Sequence, residues 1–406
     1  MKNIRLVAEG GTNVSRAVIV DAVRTAGGKR NGQLSNWHPV DLAGEILGAL
    51  VARNDLDPSL VDDVIMGCVL QVGEQSHNVG RCAVLAAGFP ESVPGTTIDR
   101  QCGSSQQALH FAAQGIMAGA YDIVVAAGVE IMSRTPLGSA DIKELGPAYG
   151  PLMRKRYEGR GGLVSQGEGA ELIAQDWELS REVLDEFSLQ SHQRAATATA
   201  EHRFEREIIP MAVKNMNGDK TDVMANTDEG IRHDTSLEVL AGLRTVFRKE
   251  NGVITAGNSC QICDGASAVL IMSEERAVSL GYKPRALLHS FSVVGSDPIR
   301  MLTGPIPATH KILQQARLTL DDIDLVEINE AFASVVLAWR KEFNADMKKV
   351  NVNGGAIALG HPLGSSGTKL TATLLNELER TNGRYGLLTM CEGGGMANAT
   401  IIERLK

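Results

Sequence analysis

Residues 95–128 read GTTIDRQCGSSQQALHFAAQGIMAGAYDIVVAAG. The first four residues form a short extended run, and a turn around Cys102 and Gly103 follows. Residues 104–118 place Ala108, Phe111, Ala112 and Met117 on one apolar side at helical spacing. Residues 121–128 carry the unbroken apolar run Ile123-Val124-Val125-Ala126-Ala127, as in a strand buried on both faces. A strand, a helix and a second strand in such quick succession make a βαβ unit with parallel strands.

The same rhythm extends in both directions. Upstream, 17–22 (AVIVDA) and 61–70 (VDDVIMGCVL) read as strands. Residues 39–54 read as a helix, with Pro39 in its first turn and Leu42, Ile46, Leu47 and Leu50 on one face. Residues 82–87 form a short helix. Near the other end, strands are expected at 287–294, 323–328, 350–352, 385–390 and 398–402. Helices are expected at 307–316, 331–343 and 365–379. Gly103-Ser104-Ser105 opens a helix leading to a buried strand, and Gly364-Ser365-Ser366 does the same. Asp62-Asp63 and the pair Asp322 and Asp324 flank strands alike. We read a duplicated α/β half-domain with mostly parallel strands and helices on the sheet faces.

Residues 132–252 break the pattern. They hold Gly-Pro loops, a basic knot (Arg154-Lys155-Arg156), helices at 169–179 and 181–201, and a polar stretch at 215–234. This segment reads as an insertion covering the site. The knot fits either a solvated face or an acidic ligand. The expected division is a first half at 1–132 completed by 252–283, an insertion at 133–251, and a second half at 284–406.

Composition narrows the function class. The 406 residues carry 40 Lys and Arg against 48 Asp and Glu, a net charge of -8, with no basic excess for nucleic acid. Glycine is 43 of 406, and it is not confined to low-complexity tracts, which suits turns and close backbone approaches. Six dispersed cysteines do not resemble a disulfide scaffold. The N-terminal stretch has no apolar leader, no run is long enough to span a bilayer, and the chain ends IIERLK rather than on an organelle address. A reducing cytoplasm is the expected home.

Four places carry chemistry. Cys102 sits at the start of a helix, where the positive end favours a thiolate, and Gly103 leaves room for a substrate. A cysteine there also fits the core as a small apolar residue. His361 lies in the Gly-rich loop GGAIALGHPLGSSG, where an imidazole can accept a thiol proton. Cys391 follows a buried strand and precedes Gly393-Gly394-Gly395, a run suited to positive φ or to amides aimed at a ligand. Asn329 ends the strand IDLVEI and suits either a water-holding amide or a helix N-cap. All four are expected near the C-terminal ends of parallel strands, where open α/β sheets bind ligands. Cys260 and Cys263 form a C-x-x-C, but no second pair completes a zinc site, so no metal is expected. Cys68 and Cys82 read as core residues.

The motifs DRQCGSSQQA, AGVEIMSRTPLG, TAGNS, GPIPA, NEAFA, GGAIALGHPLGSSG and CEGGGM occur in order along the chain. With them the sequence resembles the thiolase family over essentially its whole length. The resemblance implies a thiolase fold: two βαβαβ-type halves in a layered α-β-α-β-α core, with a loop domain inserted. It implies an acetyl-CoA acyltransferase that cleaves 3-oxoacyl-CoA thioesters with CoA as substrate and no permanently bound cofactor. The alternative readings are a biosynthetic acetoacetyl-CoA-forming acetyltransferase, a decarboxylating ketosynthase of the same fold, and a non-catalytic acyl-CoA carrier. The resemblance also implies a homodimer or homotetramer.

By the same resemblance Cys102 is the nucleophile, His361 takes its proton, and Cys391 is the second acid and base. The backbone amides of Cys102 and Gly393 form one oxyanion hole, and His361 with a water on Asn329 forms the other. CoA is expected against Arg232, Leu243, Phe247, Ala256, Cys260 and Phe332. Three positions depart from the family pattern. Cys260-Gln261 replaces Ser-Gly, Ser165 replaces a common His, and Ala397 replaces a common Gly. These departures put CoA and acyl-chain contacts in doubt rather than the reaction.

Overall fold

The computed structural model describes residues 15–406. Residues 1–14, on which the leaderless reading and the start of the first half rest, lie outside the described residues. The first half contains β1 (Ala17–Arg24), β2 (Gly28–Lys29), α1 (Pro39–Arg53), β3 (Asp63–Gly67), α2 (Val79–Ala86), β4 (Gly95–Ile98), α3 (Ser104–Met117) and β5 (Ile123–Ile131). The insertion contains α4 (Pro151–Glu158), α5 (Gln166–Asp176), α6 (Arg181–Ala200), the hairpin β6 (Met211–Lys214) and β7 (Lys220–Ala225), and α7 (Leu237–Ala241). Then follow β8 (Cys263–Ser273), α8 (Glu274–Ser279), β9 (Ala286–Gly295), α9 (Pro305–Ala316), β10 (Leu325–Ile328), α10 (Ala333–Phe343), α11 (Ala356–Leu359), α12 (Ser366–Thr381), β11 (Tyr385–Glu392) and β12 (Met396–Arg404).

Five layers result. The strands join in the order β10-β11-β12-β9-β1-β8-β5-β3-β4. The two halves of this sheet meet where Val18 faces Leu287 and Ile19 faces Ala286. Between them lie α3 and α12, packed through Ala108, Leu109 and Ala112 on one helix and Leu370, Leu374 and Leu375 on the other. The outer face of the first half is closed by α1 and α2, through Leu42, Ile46, Leu50 and Val84. That of the second half is closed by α9 and α10, through Ile312, Val336 and Trp339. A side chain on Gly367 would collide with the Gln106 backbone, so glycine lets the two middle helices come close together.

The mostly parallel sheet expected from the alternation is not observed. β3 runs parallel to β4 and β5, and β10 to β11, but the strands between them pair antiparallel. For β11 and β12 the cause is local: the tight Gly393–Gly395 turn joins them, and a short turn can join only antiparallel strands. β8 was not anticipated, because CDGASAVLIMS is buried throughout and shows no alternation. The strand expected at 350–352 is a single bridge from Val350 to Val326. Asn351 turns the chain with a positive φ, and its side chain bonds both the N–H and the C=O of Ile328 at 2.9 Å. The chain after Asn78 also becomes helical earlier than expected, because the Asn78 side chain caps α2.

The insertion is clamped to the core by a buried ion cluster. Arg24 on β1 donates to Glu207 at 2.6 Å and to Asp228 at 2.7 and 3.0 Å. Thr373 on α12 donates to Glu207 at 2.8 Å, so three layers of the chain share one knot. All three charges are almost wholly shielded from solvent.

Candidate active site

Cys102 is delivered by a strained turn. Gln101 has a φ of 50, uncommon for a residue with a side chain. Asp99 accepts the Gln101 N–H at 2.6 Å, and the Ser104 hydroxyl donates to the Gln101 carbonyl at 2.6 Å. The turn leaves the Cys102 thiol 5% exposed at the head of α3. Burial raises its pKa far above the ordinary thiol range, and the Cys260 and Glu392 side chains add to that. The amides of Cys102 and Gly393 face the sulfur and oppose the rise. The helix start therefore does not yield a free thiolate as expected. Desolvation outweighs the favourable backbone field, and the thiol keeps its proton.

His361 lies in the loop between α11 and α12 rather than at a strand end. Its backbone N–H donates to the Gln261 carbonyl at 3.1 Å. The ring Nδ1 is 2.6 Å from the Ser366 hydroxyl, and that hydroxyl donates to the Pro362 carbonyl at 2.8 Å. A serine has one proton to give, so it accepts from Nδ1–H. The Nε2 lone pair then points to the Asn329 amide nitrogen and accepts from it at 3.4 Å. Burial, helped by the Lys369 ammonium, pushes the imidazole down to about 3, so the ring is neutral.

Asn329 follows β10 and is buried. It does not cap α10, whose N-cap is Phe332, so only the amide reading of this residue survives. Its neighbour Glu330 accepts from Ser191 at 2.7 Å, Asn351 at 2.9 Å and the Ile357 amide at 3.2 Å, which fixes the loop leading to His361. Cys391 is fully buried at the end of β11, and its thiol is raised by burial and by the neighbouring Cys102, Cys260 and Glu392. In the glycine turn, Gly394 and Gly395 have positive φ and Gly393 does not.

A cavity of about 640 Å³ is lined by Cys102, His361, Phe247, Ala256, Cys260 and Phe332, among others. Phe247 and Phe332 meet edge to face at 6.1 Å. Four of the six residues expected to contact CoA thus share a cavity with the nucleophile candidate. Leu243 lies just outside, against Gly257, and Arg232 is exposed, with its N–H donating to His192 at 3.1 Å.

The departures from the family pattern have local roles. Ser165 caps α5 by accepting the Glu168 N–H at 3.2 Å. The Gln261 side chain bonds the Gly230 and Ile357 carbonyls at 2.7 and 2.8 Å, tying the insertion to the His361 loop. Of the C-x-x-C, Cys260 lines the cavity with its thiol pushed up to about 12, while Cys263 is buried against the Asp264 carbonyl. Cys68 is buried in the core as expected, but Cys82 is only half-buried, its thiol on the His77 carbonyl.

One residue escaped the sequence reading. Glu392 is fully buried, and neither carboxyl oxygen has a hydrogen-bond partner among the described residues. Its Oε1 occupies the space where a side chain on Gly103 would stand. Gly103 therefore makes room for this carboxyl rather than for a substrate. Burial pushes the Glu392 carboxyl up to about 8, with Arg100 pulling the other way. An acidic residue closing the apolar run YGLLTMC was its only signal.

A family model for the thiolase N-terminal domain matches residues 17–275, and one for the C-terminal domain matches 282–404. A steroid 3-ketoacyl-CoA thiolase of Mycobacterium tuberculosis is 53% identical over 97% of this chain and 96% of its own. A 3-oxoadipyl-CoA/3-oxo-5,6-dehydrosuberyl-CoA thiolase of Escherichia coli is 44% identical over 96% and 99%. The crystal structure of a Bacillus anthracis acetyl-CoA acetyltransferase superposes with a TM-score of 0.87 at 40% identity, covering 97% of this chain and 99% of that one. With both family models matched and relatives aligned nearly end to end, the chain belongs to the thiolase family.

Proposed function

We propose that the chain cleaves 3-oxoacyl-CoA thioesters with CoA through an acyl group carried on Cys102. One observation carries the reading. Cys102 and His361 line one cavity, the Gly393 amide faces the sulfur, and Cys391 lies beside it. Two relatives are named for steroid 3-ketoacyl-CoA and 3-oxoadipyl-CoA, which share the 3-oxoacyl-CoA class.

In this reading the Cys102 sulfur attacks the 3-keto carbon and its proton passes to His361 Nε2. The C2–C3 bond breaks, its electron pair goes to C2, and Cys391 donates a proton there, releasing acetyl-CoA. CoA then attacks the thioester and gives its proton to Cys391, while His361 returns its proton to the departing Cys102 sulfur. The Cys102 and Gly393 amides stabilise one oxyanion. Nε2 of His361, once protonated, and a water on Asn329 stabilise the other. Losing one such donor costs about 100- to 1000-fold in rate. CoA lies against Phe247, Ala256, Cys260 and Phe332, with Leu243 flanking and Arg232 toward the phosphates.

The division into a half at 1–132 completed by 252–283, an insertion at 133–251 and a half at 284–406 is part of the proposal. The pairing of β8 with both β1 and β5 supports returning 252–283 to the first half. A cytoplasmic location, on the dispersed cysteines, and a homodimer or homotetramer, on the resemblance alone, complete it. Light scattering on the purified protein tests the assembly. The reaction is tested by CoA-dependent loss of the magnesium–enolate absorbance of acetoacetyl-CoA and longer 3-oxoacyl-CoAs. No turnover at any chain length refutes it.

A further inference from the structure

A second cavity, of about 1050 Å³, opens from the first. The two share Gln101, Ser165 and Gln166 on their walls. The larger begins at Gly393 and Gly394, beside the Cys102 sulfur, and extends beneath α4 to Arg154, Lys155 and Glu158. Pockets of roughly 300–1000 Å³ hold drug-sized ligands, so a two-carbon acyl unit leaves this chamber almost empty. Met301, Met396, Leu163 and Val164 give its inner wall an apolar and adaptable surface. Its outer end is different, with two cations and one carboxylate.

Two neighbouring cations are already engaged. Arg160, just past α4, is held by Asp297 at 2.9 Å, and Arg156 lies over the Tyr157 ring at 5.6 Å. Arg154 and Lys155 make no side-chain hydrogen bond or ion pair among the described residues. Lys155 alone is explained by the negative end of α4, but Arg154 stands one residue earlier and faces the same chamber.

We propose that the larger chamber takes the acyl part of a 3-oxoacyl-CoA whose far end carries a carboxylate, bound by Arg154 and Lys155. The proposal rests on the thiolase reading and narrows its substrate. An apolar chain or ring system fills the inner wall, and the terminal anion meets the two cations. A carboxylate matches the planar guanidinium fork, and the ammonium supplies a second positive charge. A CoA phosphate is the competing anion, but four of the six proposed CoA contacts line the smaller cavity, and Arg154 and Lys155 do not.

The test uses the full chain and pairs of 3-oxoacyl-CoAs at several chain lengths. One member of each pair ends in a carboxylate, and the other ends in its methyl ester. At the best length, kcat/KM should favour the carboxylate by at least about tenfold, the order of one charge-assisted hydrogen bond. The preference should collapse in the double variant Arg154→Gln, Lys155→Gln, whose side chains are exposed and outside the packed core. No carboxylate preference at any length overturns the proposal, and so does a preference that survives the double substitution. An equal loss for both members of a pair assigns the cations to CoA phosphates and also overturns it. If the parent enzyme turns over no 3-oxoacyl-CoA of any length or terminus, the thiolase reading falls and the proposal falls with it. Turnover of acetoacetyl-CoA without carboxylate preference sinks this proposal alone.

Discussion

The Ser366 hydroxyl accepts a hydrogen bond from His361 Nδ1–H at 2.6 Å and donates one to the Pro362 carbonyl at 2.8 Å. One side chain thereby fixes both the tautomer and the ring plane of the imidazole. Ser366→Ala should lower kcat by about 10- to 100-fold, part of the roughly 100- to 10,000-fold that general-base catalysis supplies. Ser366→Thr keeps a hydroxyl there and should recover most of the loss. Equal activity of the Ala and Thr variants would count against a positioning role.

His361 is pushed down to about 3 by burial, so its ring stays neutral through the physiological range. The kcat/KM profile of the free enzyme should then show no histidine limb between about pH 5 and 8. A limb near the ordinary histidine value that disappears in His361→Gln would contradict this.

Glu392 predicts a pH dependence with a definite sign. Its carboxyl rises from 4.5 to about 8 on folding, so the folded chain holds that proton more tightly than the unfolded one. The associated stability is fully present below about pH 4.5 and is lost as pH rises through about 8. Glu392→Gln should remove this term, so that Tm of the parent falls relative to the variant across that window. Ionised Glu392 also disfavours a Cys102 thiolate, so iodoacetamide should label Cys102 faster in the variant at alkaline pH. Parallel Tm curves in parent and variant would be the failing result.

Gly103→Ala drives a methyl group into the Glu392 carboxyl. Overpacking of this kind costs about 1–3 kcal/mol. Adding Glu392→Ala frees the space, and the double variant should recover the stability lost by the single one. Additive losses in a denaturant-melt cycle would rule out the contact.

Arg24 anchors the insertion through Glu207 and Asp228. Arg24→Met leaves two buried carboxylates without their cation and should cost about 3–5 kcal/mol of unfolding free energy. Urea melts measure it, and a loss within about 0.5 kcal/mol would place the cluster among the inert surface pairs.

Residues whose neighbours in sequence are also their neighbours in space were readable from the chain. Cys102 and His361 stand among glycines and prolines beside helix starts, and those local marks show through. The alternation of periodic runs carried the α/β elements and their two similar sets, while the five layers came with the family resemblance. Strand direction did not follow, because it depends on the Gly393–Gly395 turn and on β8, a strand whose buried small residues carry no rhythm. Ser165 was read as a missing histidine although Glu168 three residues on spells a helix cap. Glu392 acts across the fold, filling the gap over Gly103, and its one local mark is an acidic residue closing an apolar run. Ser366 orients a ring only five positions away, but a helix-start serine reads as an ordinary cap.

The middle layer has a further consequence. Gly103-Ser104-Ser105 opens α3 and Gly364-Ser365-Ser366 opens α12, and the two helices lie side by side. One start is preceded by a thiol and the other holds the hydroxyl that steers an imidazole. The two helix starts thus supply different groups, a thiol at one and the hydroxyl that orients the imidazole at the other, so the set is complete only where the two helices meet.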